Sequence, residues 1–408
     1  MYDVAALAAP QGGLLEGIRV LDLADEKGLP CAKFLADNGA DVIRIAPPGG
    51  DATRSRGPFA GDVPHPERSL YFLHHNANKR GITLNLESPD GQRLFRDLAR
   101  AADVVVETFP PGWLAEHGLG YDDLTAINPK IVVTSITAFG QTGPWRDWKG
   151  GELTAFAVGG LMALSGEPGG PPCVAPGELS CGVASMHAAL ATQVALFHRE
   201  RTGRGQHVDV SLAEAAAHAG SYVVPLYSYH KEKPHRVSHF EHVPELHHDL
   251  YPCKDGFVRL FILAREHWKT FAEWIGDPAV TDPAMEDRRV RQKEMHRLAP
   301  IIEAFCRRHT KQELYLEGQA RHLAITPVNT PAEFVQSEQT QARGLFQEIE
   351  HPVVGRYQQI GAMHKYSAAG AAVRSAAPTI GQHNDEIYRS ELGLSPEDLR
   401  ELRAAGVI

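Results

Sequence analysis

Residues 17–45, GIRVLDLADEKGLPCAKFLADNGADVIRI, decide the fold class. Positions 18–23 are a β-rich run and 41–45 are a second. Between them 32–38 suits a helix, and Gly39 follows where a C-cap glycine belongs. The unit repeats: Ser88-Pro89-Asp90 opens a helix with proline in its first turn, predicted to reach Ala101, and strands follow at 103–107 and 131–136. Strands alternating with helices predict an α/β fold whose largely parallel sheet is covered on both faces. Ligands of such sheets gather in the loops after the strands' carboxyl ends.

Farther along, the spacing predicts a long helix over 183–199, with Met186, Leu190, Val194 and Phe197 three or four apart on one face. Thr202-Gly203-Arg204-Gly205 ends it, and 207–212 resumes a strand. A smaller domain is expected over 225–330, with an Asp255-Gly256 turn before a strand at 257–262. The larger domain then takes 14–224 and regains the chain over 331–408, with short strands and turns beyond Pro352. Its last helix starts at Ser395-Pro396-Glu397-Asp398, a good N-cap sequence. The Ala/Gly-rich stretch 1–13 reads as a loose arm.

A chain of 408 residues suits two domains. With 43% hydrophobic and 22% charged residues it can bury a large core. The net charge of −9, from 41 basic and 50 acidic residues, argues against nucleic acid or an anionic membrane as partner. An anionic cofactor stays open, because a phosphate site needs only local donors. No signal peptide or bilayer-spanning apolar run is read, so the five cysteines, odd in number and without paired spacing, are expected as free thiols in the cytoplasm. The 21 histidines come without an HExxH or CxxC frame. Those of 230–248 lack acidic or thiol companions at regular spacing, so no metal is expected.

Six motifs follow in order: GADVIRIAPPGGDATR (39–54), NANKRGITLNL (76–86), ADVVVETFPPG (102–112), FGQTGP (139–144), RERTGRGQHVDVSL (199–212) and APTIGQHNDEI (377–387). Together they resemble the class III CoA-transferases, the CaiB/BaiF family, over nearly the whole chain. The resemblance implies a Rossmann-like large domain built from both chain ends, a smaller inserted domain, and two subunits threaded through each other as interlocked rings. It implies coenzyme A thioesters as substrates, with no permanently bound cofactor. In the family's transferases a carboxylate attacks the acyl-CoA thioester, a mixed anhydride forms, and CoA passes to the acceptor acid. Aspartate suits this role because its acyl derivative is an anhydride, reactive enough to be reopened. The family also holds α-methylacyl-CoA racemases, which need an acid–base pair at the α-carbon.

In formyl-CoA transferase-like members one segment leads to the catalytic aspartate. Its counterpart runs from Lys149 through Glu152, Gly159-Gly160, Gly166 and Gly170-Pro171-Pro172, aligns without a gap, and ends on Cys181. The following helix aligns without a gap as well. Glu178 is the alternative nucleophile. Its use needs a three-residue insertion inside that helix, turning the apolar face by most of a turn. A Cys181 thiolate would exchange one thioester for another, and no adjacent charge depresses its pKa. His187 remains the group that could approach it in space.

Other positions depart from the family pattern. Pro110 precedes the Pro-Gly of the ETFPPG loop, and Pro47 and Glu116 stand where two arginines contact CoA. The loop ADEKG (24–28) is one residue short and charged, and HFEHVPELHH (239–248) replaces a glycine-rich lid. The resemblance assigns Arg54, Asn78, Lys79, Arg80 and Lys149 to CoA, with Thr108 and Phe109 in the loop lining the nucleotide; Leu84 is counted with them. It thus predicts a catalytically silent subunit paired with a paralogue that keeps the aspartate, as in succinyl-CoA:benzylsuccinate CoA-transferase. The alternatives are a homodimeric transferase using Glu178, and a racemase drawing on Glu152, Glu178, Glu241 or His187.

Overall fold

The computed structural model describes residues 13–221, 223–231, 236, 249–262, 264–368 and 370–408. The 239–248 stretch with Glu241, and the arm up to residue 12, lie outside the described residues. Six strands build one sheet: β1 (Arg19–Asp22), β2 (Asp41–Ala46), β3 (Lys79–Thr83), β4 (Val104–Glu107), β5 (Val132–Thr137) and β6 (His207–Ser211). Their order is β3-β2-β1-β4-β5-β6, and every pairing is parallel. The order reverses between β1 and β4, which opens a crevice at their carboxyl ends.

The helices of this unit include α1 (Leu29–Asp37), α2 (Leu70–Asn76), α3 (Pro89–Ala99), α4 (Trp113–Glu116), α5 (Tyr121–Ile127), α6 (Glu152–Val158), α7 (Leu161–Leu164), α8 (Leu179–Thr202) and α9 (Leu212–Ala219). Alternate strand residues serve opposite faces. Val20, Val42, Val104 and Val132 pack with Leu35, Ala184 and Ala188 on one side. Leu21, Ile43, Val105 and Val133 pack with Leu94, Phe95 and Leu98 on the other, where Tyr388, Leu399 and Ile408 from the far end of the chain join them. That end is stitched to β3. Gly81 N donates to His383 Nδ1 (2.9 Å), Thr83 N to Asn384 Oδ1 (2.9 Å), and Tyr388 OH to the Thr83 carbonyl (2.7 Å). Gly81 permits the approach, since a Cβ there would lie 2.7 Å from the Pro378 ring.

α8 differs from its sequence reading in two ways. It starts at Leu179, so Cys181 stands in its first turn and not in the preceding loop. Met186, Leu190, Val194 and Phe197 do share a face, but that face points outward. The buried side is small: Ala184, Ser185, Ala188, Ala189, Thr192 and Ala195. Small residues let the helix lie close on α1 and on β5 and β6. α8 is also the one described helix with the length and mean hydropathy (1.3) of a membrane span, yet half of that stretch is buried in the protein.

The chain divides into two compact units. One comprises Met1–Met162, Val174–Glu232 and Gln341–Ile408; the other comprises Ala163–Cys173 and Lys233–Thr340. The second unit thus takes the short segment 163–173 and a long one over 233–340, where 225–330 is expected from the sequence. Its far boundary moves because Lys311 Nζ donates to Glu333 (2.6 Å) and to the Val328 carbonyl (3.4 Å), fastening the helix Pro331–Gln336 to it. Its antiparallel sheet, β7 (Asp249–Cys253), β8 (Gly256–Leu260) and β9 (Ile325–Pro327), shares a core with Trp268, Phe271, Leu298 and Phe305.

An ionic network ties the carboxyl end of β1 to the middle of β2 and to the first residue of β3. Asp22 has no exposed surface; Oδ1 accepts from Ala24 N (3.0 Å) and Arg44 Nη1 (3.3 Å), and Oδ2 accepts from Lys79 Nζ (2.8 Å). Removing one partner of a buried ion pair costs about 3–5 kcal/mol, because the remaining charge stays buried alone. Asp22→Asn should therefore lower the unfolding free energy by about that amount in a urea titration. A loss under about 1 kcal/mol would mean that Lys79 and Arg44 find other partners.

Candidate active site

The first N–H groups of a helix need acceptors from outside it. At α8 the N-cap residue, Glu178, makes no such side-chain bond. Glu152, the first residue of α6, supplies it. Its Oε1 accepts from Ser180 N and Oγ (3.0 Å each), and its Oε2 accepts from Cys181 N (2.9 Å). The carboxylate also meets the positive end of the helix dipole. The loops around this point are tied together: Ser185 Oγ donates to the Lys27 carbonyl (3.0 Å), and Asp25 N donates to Thr108 Oγ1 (2.8 Å).

Cys181 is 1% exposed. Burial first, then the nearby Glu152 and Glu178 carboxylates, push its thiol pKa up. The thiolate needed for attack is thus disfavoured by its surroundings. Glu178 is held on both oxygens: Oε2 accepts from Tyr71 OH (2.6 Å), and Oε1 meets Arg56 Nη2 (2.5 Å). His187 does not turn toward Cys181. It stands exposed on the other side of α8, edge-on to His218 of α9 with ring centroids 4.9 Å apart.

Most side chains assigned to CoA are engaged within the protein. Arg54 is buried; it pairs with Glu67 (2.7 Å), donates to the Pro378 carbonyl (2.8 Å) and lies 3.7 Å over the Phe72 ring. Asn78, at φ 67°, donates to Asp37 and the Ala372 carbonyl (2.8 Å each), and its Oδ1 accepts from Arg374 N and Ser375 N. Lys79 is fully buried on Asp22 and Asn76. Arg80 pairs with Asp41, Glu386 and Glu391. Leu84 is a core residue. The four polar side chains are engaged with other strands or with residues 372–391, and Leu84 packs in the core. Lys149 does stand exposed.

Thr108 is buried, whereas Phe109 opens an aromatic ladder. Phe109 stacks on Trp113 (4.1 Å, 16°), and Trp113 on His117 (4.0 Å, 25°). Sequence reading missed the last two, although the four-residue spacing of 109, 113 and 117 was there to be seen. It also missed the pair Trp145 and Trp148, exposed and stacked at 5.2 Å. Glu107, at the end of β4, accepts from Phe109 N (2.7 Å) and so sets the start of the ladder. Burial raises its carboxyl from 4.5 to about 7, against the lowering effect of bonds from Ser135 and Phe109 N.

The family model of CoA-transferase family III matches residues 15–384. The chain is 34% identical over 404 residues to the succinyl-CoA–L-malate CoA-transferase beta subunit of Chloroflexus aurantiacus, covering 97% of this chain and 98% of that one. It is 32% identical over 402 residues to the succinyl-CoA:(R)-benzylsuccinate CoA-transferase subunit BbsE of Thauera aromatica, covering 96% and 97%. A CAIB/BAIF family protein from Brucella suis matches its fold with a TM-score of 0.82 at 29% identity, over 94% of this chain and 100% of that one.

Two measurements check this geometry. Alkylation of the native chain at pH 8 should modify exposed Cys173 and leave Cys181 intact, read by peptide mass spectrometry, with all five cysteines reacting once the chain is unfolded. Rapid native labelling of Cys181 would mean an activated thiol. For Glu107 the folded state binds its proton more tightly than the unfolded state. Its contribution to stability is thus complete below about 4.5 and is lost as pH rises through about 7. Glu107→Gln should flatten that part of the stability profile, measured by denaturant titration across pH.

Proposed function

We propose a subunit role for this chain, which belongs to CoA-transferase family III: it is the non-catalytic partner of a paralogue that carries the aspartate nucleophile. The pair moves CoA from an acyl-CoA such as succinyl-CoA to a carboxylic acid such as benzylsuccinate. The observation that carries the reading is Cys181, a buried thiol kept protonated at the position where the family resemblance expects the nucleophile. Support also comes from the two relatives named above, both of them subunits by name.

Attack belongs to the partner's site. There a carboxylate oxygen would add to the thioester carbonyl, and the C–S bond of the adduct would break, releasing CoA as thiolate and leaving a mixed anhydride. Here the corresponding backbone is intact and the attacking group is missing. Neither alternative gains from the geometry. Glu178 has both oxygens engaged. For racemisation, Glu152 is committed to the start of α8 and His187 faces away.

The outward stripe of α8 suits an interlocked pair. Met186, Leu190, Val194 and Phe197 are each 58–67% exposed, and such a contiguous apolar face on a soluble chain marks an interaction surface. On this reading the paralogue covers it. Phe109 and Lys149 remain the residues of this chain proposed to face CoA, with Thr108 fixing their neighbouring loop. The pair is assigned to the cytoplasm, where free cysteines stay reduced.

Expressed alone, the chain should give no CoA transfer from succinyl-CoA to benzylsuccinate, and co-expression with the aspartate-bearing paralogue should give a stable complex that does. In that complex Cys181→Ser should leave the rate within about threefold, because no bond forms to residue 181 in the transition state. Robust transfer by the pure chain would overturn the subunit reading.

A further inference from the structure

Arg56 and Tyr71 come from different segments and converge on one carboxylate. Arg56 follows the short helical turn Ala52–Ser55, and Tyr71 lies in the first turn of α2. Ser69 fixes their separation: its Oγ donates to the Arg56 carbonyl (2.5 Å) and accepts from Phe72 N (3.1 Å). The guanidinium lies 4.2 Å over the Tyr71 ring, and the ring's other neighbour is His75, at 4.7 Å between centroids. Each donor then serves one oxygen of Glu178, Arg56 at 2.5 Å and Tyr71 at 2.6 Å. Two donors held in place before a carboxylate arrives, one of them charged, are what a carboxylate receptor requires.

The present occupant is able to leave. Glu178 contributes nothing to the start of α8 through its side chain, since Glu152 fills that role. Its side chain keeps 22% exposure and that of Arg56 keeps 40%, so the pair is open to solvent. Its occupant, Glu178, lies three residues from position 181 in sequence, and the Glu178 charge acts on the Cys181 thiol. A carboxylate bound here is therefore near residue 181 and not on it.

We propose that Arg56 and Tyr71 form a binding site for a carboxylate of a small dicarboxylic acid, with Glu178 as the internal carboxylate that the ligand displaces. The substrate class rests on the family III reading; carboxylate recognition itself rests on the geometry alone. Glu178 competes as a tethered group whose effective concentration reaches the millimolar range or above, so free acid binds the native chain weakly. The chain holds its own acid site closed.

Succinate is the probe, titrated calorimetrically into the purified full chain, recovered alone or with the paralogue, in which case the paralogue's contribution is common to every variant. Glu178→Ala should tighten the site of this chain by about tenfold or more, since the competitor is gone. Arg56→Gln in that background should abolish the gain, and Tyr71→Phe should weaken it. Tyr71→Phe serves as the second variant if Arg56→Gln fails to fold. Succinamide, uncharged and of similar shape, should not bind. Unchanged affinity in Glu178→Ala, or a gain that survives both Arg56→Gln and Tyr71→Phe, overturns the proposal. The readout is binding without turnover, so its failure is separate from that of the subunit reading, which transfer rates decide.

Discussion

A carboxylate with no exposed surface, that of Asp22, holds the working end of the sheet together. It ends β1 at the point where the strand order reverses, and it takes one cation from β2 (Arg44) and one from β3 (Lys79). Burying three charges is tolerable only where their remaining hydrogen-bonding capacity is met. Lys79 also donates to Asn76, and Arg44 to Asp51 and to the Ala24 carbonyl. Those further bonds reach into the loops. Asp51 caps the turn that leads to Arg56, and the Ala24 backbone begins the loop that docks on Thr108. The placement of both loops beside position 181 thus descends from one buried ion cluster at the end of β1.

The alternation of strands and helices was legible because the central strands β1, β2, β4 and β5, covered on both faces, carry mostly apolar runs with turn residues at their ends, whereas the edge strand β3, KRGIT, does not. The start of α8 was not legible. Its N–H groups are satisfied by Glu152, on another helix, and no local capping sequence announces the first turn. Periodicity likewise identified the stripe from Met186 to Phe197 without its direction. Hydrophobic spacing defines a face, and close packing against alanines decided which face went inside.

The basic motif at 78–80 shows a different limit. Its membership in a family pattern was readable, but the use of its side chains was not. Lys79 pairs with Asp22, and Arg80 pairs with Asp41, Glu386 and Glu391, some of them hundreds of residues away. A cation that looks free in sequence is firmly held here, because its acid is brought to it only by topology. Arg54 repeats the lesson through Glu67 and the Pro378 carbonyl.

The contact between Glu152 and α8 bears on how such chains diverge. Glu152 grips the amides of residues 180 and 181, together with the Ser180 hydroxyl, so the main chain there is anchored by bonds that do not depend on which side chain stands at 181. After a gene duplication, a codon change at that position would therefore leave the backbone undisturbed and escape selection against misfolding. The acid could drift to a small thiol in one copy while its twin preserved the chemistry. A scaffold that anchors a position by the main chain makes the side chain there dispensable to the architecture, and on the proposed subunit reading this opens a neutral route from enzyme to companion.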